Sequence, residues 1–273
     1  MDTKVVRKDK PYYLSFTDYS NWRTVIEKVL RKLDMDIYKY NIYDTYYKYQ
    51  WVVGCSIQKS EYPLLPKAIA DFHKALNDIK CDDILLQRIT HQPNIEQTTI
   101  NLMISNLNYT FKQEKSLINN ILFSLNKVRT SLSYNYKKQI IHGDLHLNNM
   151  IINNTDIVFI DMIDIHYDYR IIDVVWLLLF TFIWDAQHFT IMDNIHYDNM
   201  MKFLAMYDAF NPLEYSEKKD LADIVSVLMI YSLFTNHSLW RKRRIDSIFY
   251  SNIEKINMIL MEDSKLWNTL SSW

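Results

Sequence analysis

The chain has 273 residues, enough for one large domain or two lobes sharing a cleft. Hydrophobic residues make up 49% and aromatic residues 14% of it, which supports a sizeable core and excludes a disordered chain. The formal net charge of −1 offers nothing to a polyphosphate backbone, so nucleic acid is not an expected partner.

The elements follow in chain order. Residues 3–17 read as a β-hairpin, with Lys8–Pro11 as its turn and Tyr12–Thr17 as its second strand. Ser20 is an N-cap, and Trp22, Val25, Ile26, Val29, Leu30 and Leu33 then recur at helical spacing, which predicts an amphipathic helix over residues 21–34. Residues 37–57 hold two strand-like stretches with a turn near Asp44; the tyrosines Tyr38, Tyr40, Tyr43, Tyr46, Tyr47 and Tyr49 suit strands. Pro63 and Pro66 open a helix that carries Ala68, Ile69, Phe72 and Leu76 on one side. Residues 99–131 are largely helical. Gln139–His142 is a short strand, and a polar loop follows it. Met150–Ile152 and Ile157–Ile160 flank Asn153–Asp156 as a second hairpin. From Ile172 the pattern is helical almost to the end. The order predicts an α+β, two-lobed plan: a β-rich part over residues 1–58 and a helical part over residues 59–273.

Several functions are excluded by what is scarce. Gly54 and Gly143 are the only glycines, too few for a P-loop or a dinucleotide-binding turn. No CxxC pair supplies a structural zinc site. Cys55 and Cys81 read as free thiols of a reducing cytosol. Met1–Lys10 is polar and charged, not a signal peptide, so the expected location is the cytoplasm. The apolar run Val174–Trp184 is 11 residues long, against the roughly 20 a spanning helix needs. It reads as a buried core helix.

The chemistry concentrates in Ile140–Asp173, IIHGDLHLNNMIINNTDIVFIDMIDIHYDYRIID. Phosphoryl transfer needs metal ions bridging the phosphates and a carboxylate orienting the nucleophilic hydroxyl. Asp144 lies in the loop, Asn149 follows it, and Asp161 ends the second strand of the hairpin. A hairpin brings its two ends together, so Asn149 and Asp161 become neighbours, a hard-oxygen pair suited to Mg²⁺. Asp144, at the head of the loop, faces the same cleft as a base.

HGDLHLNN resembles the H-G-D-x-H-x-x-N catalytic loop of the aminoglycoside phosphotransferase and choline kinase superfamily. FIDMIDIHYDYRIID resembles its metal-binding I-D-(F/W/Y) segment and downstream Asp. The resemblance implies a kinase-like fold and transfer of the ATP (or GTP) γ-phosphoryl to a small-molecule hydroxyl. Asp144 is then the base, Asn149 and Asp161 hold Mg²⁺, and Asp173 braces the loop from a helix N-terminus. It also places Glu27 at the helix-C glutamate and Pro11–Thr17 at the third strand of the N-lobe. Trp51–Gln58 falls on the last strand and hinge, where the backbone of Trp51, Val52 and Val53 meets adenine. Ala68–Leu76, with its IADFH, is similar to the family's L-A-x-L-H helix.

The chain departs from the family at Ser15, where the third strand carries a Lys, and in having no Gly-rich loop; Lys4, Arg7 or Lys8 are substitutes from the neighbouring strand. These departures motivate the alternative of an inactive pseudokinase acting as a nucleotide-binding or scaffold module. A protein kinase is disfavoured by the lack of a D-F-G or A-P-E segment. His142 and His146 share the i, i+4 spacing of zinc proteases, but Gly143 and Asp144 lie between them, so they read as loop braces. Asp164 and Asp168 are candidates for a second metal ligand or for substrate contacts, with a solvated loop the alternative, and Trp176 is a candidate substrate contact. Tyr167, Tyr169, Trp184 and Trp240 read first as core packing. Choline, ethanolamine, an amino sugar, homoserine, thiamine or an antibiotic each present the hydroxyl this chemistry needs.

Overall fold

A computed structural model describes residues 54–79, 95–112, 115–185, 190–243, 246–261 and 265–271. The hairpin and helix expected before residue 37, most of the 37–57 strands, and Ser15, Glu27, Trp51, Val52 and Val53 lie outside the described residues, as does the side chain of Trp240. The described chain is mostly helical with small antiparallel sheets, the α+β class expected. Its contacts fall into two units. The first draws on Met1–His91, Lys138–Arg170 and Met206–Pro212, the second on Gln92–Lys137, Ile171–Ala205 and Leu213–Trp273.

In the first unit, β1 (Cys55–Ser56) pairs antiparallel with β3 (Met150–Asn153), Cys55 opposite Ile152. Gly54 lets the chain enter this pairing flush, since a β-carbon there would lie 2.3 Å from Ile151 Cγ2. β3 turns into β4 (Asp156–Phe159) in register, Met150 opposite Phe159 and Asn153 opposite Asp156. The turn is therefore the pair Asn154–Thr155, tighter than expected. Asn154 supplies the positive φ of 56° that such turns require.

A 3-10 turn, Lys59–Leu64, is closed by a capping box in which the Gln58 N–H donates to Glu61 Oε2 at 2.6 Å. It leads into α1 (Leu65–Asn77), with Pro66 in the first turn where its missing N–H costs nothing. Ile69, Phe72 and Leu76 are buried as expected. The small residue of that face is Ala70, not Ala68, which is only half-buried. Phe72 stacks on Phe159 with centroids 4.2 Å apart, seating α1 on the hairpin.

β2 (Lys138–Ile141) pairs antiparallel with β5 (His166–Tyr169), Ile141 opposite His166 and Gln139 opposite Asp168. The solvated loop that stands as the alternative for Asp168 is not found: Asp168 faces inward with 1% of its surface exposed, so the alternation that marks a strand carries polar residues on its inner face. A buried polar chain runs through the same unit. His73 Nδ1 lies 2.7 Å from the Tyr207 hydroxyl, and Asn211 Nδ2 donates to that hydroxyl at 3.1 Å. Arg170 donates to Asn211 Oδ1 at 2.9 Å and to the Pro212 carbonyl at 2.6 Å. Tyr207→Phe removes the shared centre of two of these bonds. It is expected to cost about 1–3 kcal/mol, the desolvation cost of buried groups losing a partner, read as a lower urea midpoint at unchanged slope.

The second unit is helical: α2 (Gln97–Thr110), α3 (Lys115–Ser131), α4 (Arg170–Leu178), α5 (Tyr197–Phe210), α6 (Tyr215–Lys219), α7 (Leu221–Arg243), α8 (Asp246–Ile259) and α9 (Lys265–Ser271). The first residue of α4 and the last turn of α5 belong to the first unit. α3 buries Ile118, Ile121, Leu125 and Val128, one helical stripe. In α4, Ile171–Leu178 is buried on every side, the core helix expected for the apolar run. It does not end there as an α-helix. Leu179–Ile183 is a π-helical turn, and a two-residue ladder follows, β6 (Trp184–Asp185) with β7 (Thr190–Ile191). Asn252 of α8 accepts from the Ile191 N–H at 3.0 Å, and Lys255 donates to the Ile191 carbonyl at 2.8 Å. Among the described residues no helix is long and apolar enough to cross a membrane.

Candidate active site

The strand β2 delivers the chain into a loop built around Gly143. Its φ is +81°, a left-handed conformation that glycine adopts without cost. A β-carbon there would meet the Asp164 carbonyl oxygen at 2.2 Å and the His166 ring at 2.7 Å. The loop thus lies directly on the segment that follows β4.

His142 is fully buried. Its Nε2 donates to the Ile160 carbonyl at 3.0 Å, and its Nδ1 accepts from the Asp144 N–H at 3.3 Å. A carbonyl only accepts and a backbone N–H only donates, so Nε2 carries its proton toward Ile160 and Nδ1 turns its lone pair to the loop. Ile160 is tied from the other side as well, since its N–H donates to the Asn149 carbonyl at 2.9 Å. The hairpin pairing therefore continues one step beyond Met150 and Phe159. It sets Asn149 against Ile160, the residue just before Asp161.

Asn149 ends the short 3-10 turn Leu147–Asn149 and is fully buried. Its Nδ2 donates at 2.9 Å to both the backbone carbonyl and Oδ2 of Asp144. With the amide nitrogen committed there, the amide oxygen is turned to the opposite side. His146 caps the same turn, accepting from the Asn148 N–H at Nδ1. Its proton therefore sits on Nε2, 3.4 Å from Asp144 Oδ2. Asp144 thus has one carboxylate oxygen pinned by two donors, while Oδ1 accepts no bond among the described residues. The side chain is 41% exposed. Burial pushes the Asp144 carboxyl up, but the His146 bond, the His146 and His142 imidazoles and the Asn149 bond together hold it below the ordinary aspartate value. It is ionised throughout the neutral range.

Asp161 leaves β4 in a left-handed conformation, φ 62° and ψ 49°. Asp tolerates this region better than most residues, and such conformations concentrate at functional sites. The turn aims the chain into a 3-10 segment, Met162–Asp164. Asp164 stands above its ordinary value through desolvation and then through the charges of Asp144 and Asp161. With its surface open to solvent, the like-charge part is what reports on the site. Asp164 thus feels the like charge of both Asp144 and Asp161, a condition that a divalent cation relieves. Among the described residues no three His, Cys, Asp or Glu side chains form a cage for a metal. The donor set fits Mg²⁺ that takes its remaining ligands from phosphates and water.

The structure thus brings Asp144, Asn149, His142, His146, Asp161 and Asp164 together. Asp168 is not open to a substrate: Oδ1 accepts from the Tyr169 N–H at 2.7 Å and Oδ2 faces His166. Asp173 is fully buried in the first turn of α4, in the second unit. Trp176, 8% exposed, stacks on Phe180 at 5.4 Å and meets Tyr231 edge-on, a packing position. Trp184 is buried as well. Sequence reading passed over His166 and the clamp on Ile160. The alternation His166-Tyr167-Asp168-Tyr169 is the available signal for the first; the second involves backbone groups and has none.

Residues 44–207 match the model of the phosphotransferase enzyme family, APH. Solved structures with a similar fold include the amicoumacin kinase hAmiN in complex with AMP-PNP, Ca²⁺ and Ami, at TM-score 0.54 and 14% identity over 88% of this chain and 78% of that one. A macrolide 2′-phosphotransferase type I aligns at TM-score 0.58 and 12% identity, over 86% and 79%. A choline/ethanolamine kinase family protein from Mesorhizobium loti aligns at TM-score 0.58 and 8% identity, over 100% and 89%. No curated protein matches the chain. At these identities the structural likeness is one of fold.

Proposed function

Because the chain belongs to the phosphotransferase enzyme family, we propose that it transfers the γ-phosphoryl group of ATP to a hydroxyl of a small molecule, with Asp144 as the base. The observation that carries this is the asymmetry of the Asp144 carboxylate. One oxygen is fixed by Asn149 and His146; the other is open, on a half-exposed and ionised side chain. That is what orienting an acceptor hydroxyl requires. As the hydroxyl oxygen bonds to the γ-phosphorus and the bond to the β–γ bridging oxygen breaks, Asp144 takes the hydroxyl proton and later returns it to solvent.

Asn149 and Asp161 are the proposed metal ligands, the first through its amide oxygen. When bound, Mg²⁺ supplies charge neutralisation to the phosphates. Asn149 thereby has two tasks: its nitrogen fixes the base and its oxygen meets the metal. The AMP-PNP in the amicoumacin kinase structure supports an adenine nucleotide as donor. Residues 1–58 are assigned as the N-lobe, with Glu27 and the backbone of Trp51, Val52 and Val53 at the nucleotide. Residues 59–273 are assigned as the catalytic lobe. Asp164 is retained as an acceptor contact.

The test is calorimetric titration of ATP with and without Mg²⁺, repeated on Asp161→Ala. Binding that needs Mg²⁺ and weakens at least about tenfold in the variant, roughly 1.4 kcal/mol, is expected. Equal binding by the variant would remove Asp161 from the metal site. A nucleotide-binding module without transfer is the reading that Ser15 favours. It predicts ATP binding with no ADP formed.

A further inference from the structure

The brace beneath the catalytic turn is a buried imidazole that the proposed reaction does not use. His166 sits in β5 directly opposite Ile141, the residue before the loop. Strand alternation puts His166 and Asp168 on one face of β5. Both are buried. His166 Nε2 lies 3.4 Å from Asp168 Oδ2, and Nδ1 lies 2.6 Å from the Asp164 carbonyl. The carbonyl can only accept, so Nδ1 carries a proton, and Nε2 is turned to the buried Asp168 carboxylate. The same ring is the surface that a β-carbon at Gly143 would strike at 2.7 Å. One ring therefore touches the turn before Asp144, holds the end of the turn that begins at Asp161, and is anchored in the sheet by Asp168.

We propose that His166 is a positioning residue for the transfer: through its Nδ1–H bond to the Asp164 carbonyl it sets the spacing between the turn that carries Asp144 and the turn that carries Asp161. The inference rests on those two residues serving as base and metal ligand. A displacement of about 1 Å between reacting groups costs on the order of 10²-fold in rate, so the bond is felt in turnover.

Two amide replacements separate position from packing. Asn places its N–H near the site of imidazole Nδ1 and retains the donor to Asp164. Gln places it near Nε2 and retains only the link to Asp168. ADP release and Mg·ATP binding are measured on His166→Asn and His166→Gln, along with hydrogen exchange of residues 142–149. His166→Gln is expected to lose about 10–100-fold in kcat with Mg·ATP affinity unchanged, and His166→Asn to stay within about threefold of the parent. The loop amides exchange faster in His166→Gln alone. Equal kcat in the two variants, whether both high or both low, overturns the proposal. Should the parent chain release no ADP, the failure belongs to the transfer reading. Hydrogen exchange then decides the positioning role: faster loop exchange in His166→Gln than in His166→Asn supports it, and equal exchange overturns it.

Discussion

Asp144→Asn is expected to lower Mg·ATP-dependent ADP release by about 10²–10⁴-fold, the usual worth of a positioned base, while the protein stays folded. The carboxamide is nearly isosteric. Its oxygen can go on accepting from Asn149 Nδ2, now 2.9 Å from Asp144 Oδ2, and its NH₂ group then occupies the outward position. A donor stands where the hydroxyl proton has to go. Little stability is at stake, because the side chain is half-exposed and its main partners persist. The measurement pairs ADP release with a thermal melt: lost turnover at an unchanged midpoint is the expected pattern. Turnover retained within a few-fold would show that the proton leaves by another route and that Asp144 is not the base.

Gly143→Ala is expected to destabilise the protein by about 2–6 kcal/mol and to abolish turnover. Two costs combine. A left-handed conformation at a non-glycine residue costs about 1–3 kcal/mol, and φ here is +81°. Overpacking adds a further 1–3 kcal/mol or so, since the new methyl would lie 2.2 Å from a backbone oxygen and 2.7 Å from a ring wedged between Asp164 and Asp168. Neither neighbour is the far end of a flexible side chain. The turn has to open, and Asp144 is its next residue. Urea unfolding reads the first effect and ADP release the second. An unchanged midpoint with full activity would contradict both the closeness of this packing and its role in holding Asp144.

The site was legible in the sequence where its chemistry and its local geometry coincide. A hairpin closed by Asn153–Asp156 has to set its flanks together. Asn149 and Asp161 lie on those flanks, so their proximity followed from turn chemistry alone. The helix opened by Pro63 and Pro66 was equally plain, although one alanine of its buried face was misassigned, because Ala68 and Ala70 differ in neither size nor polarity. The strand β5 was hidden because hydrophobic alternation is the signal for a strand, and its inward residues are His166 and Asp168. The π-helical turn at Leu179–Ile183 was hidden for another reason: an uninterrupted apolar run has no period that distinguishes one helical pitch from another. The chain from His73 through Tyr207 and Asn211 to Arg170 joins residues up to 134 positions apart, and no local pattern foretells such a meeting.

The proposed reaction moves a phosphoryl group to a small-molecule hydroxyl. Phosphorus NMR of the protein with Mg·ATP tests it most directly, run against separate additions of choline, ethanolamine, an aminoglycoside and a macrolide. A new phosphomonoester resonance growing with one acceptor in step with ADP, and absent with Asp144→Asn, is the expected result. ATP that is bound yet remains intact with every acceptor, and that is not hydrolysed in their absence, would contradict phosphoryl transfer and leave a nucleotide-binding module in its place.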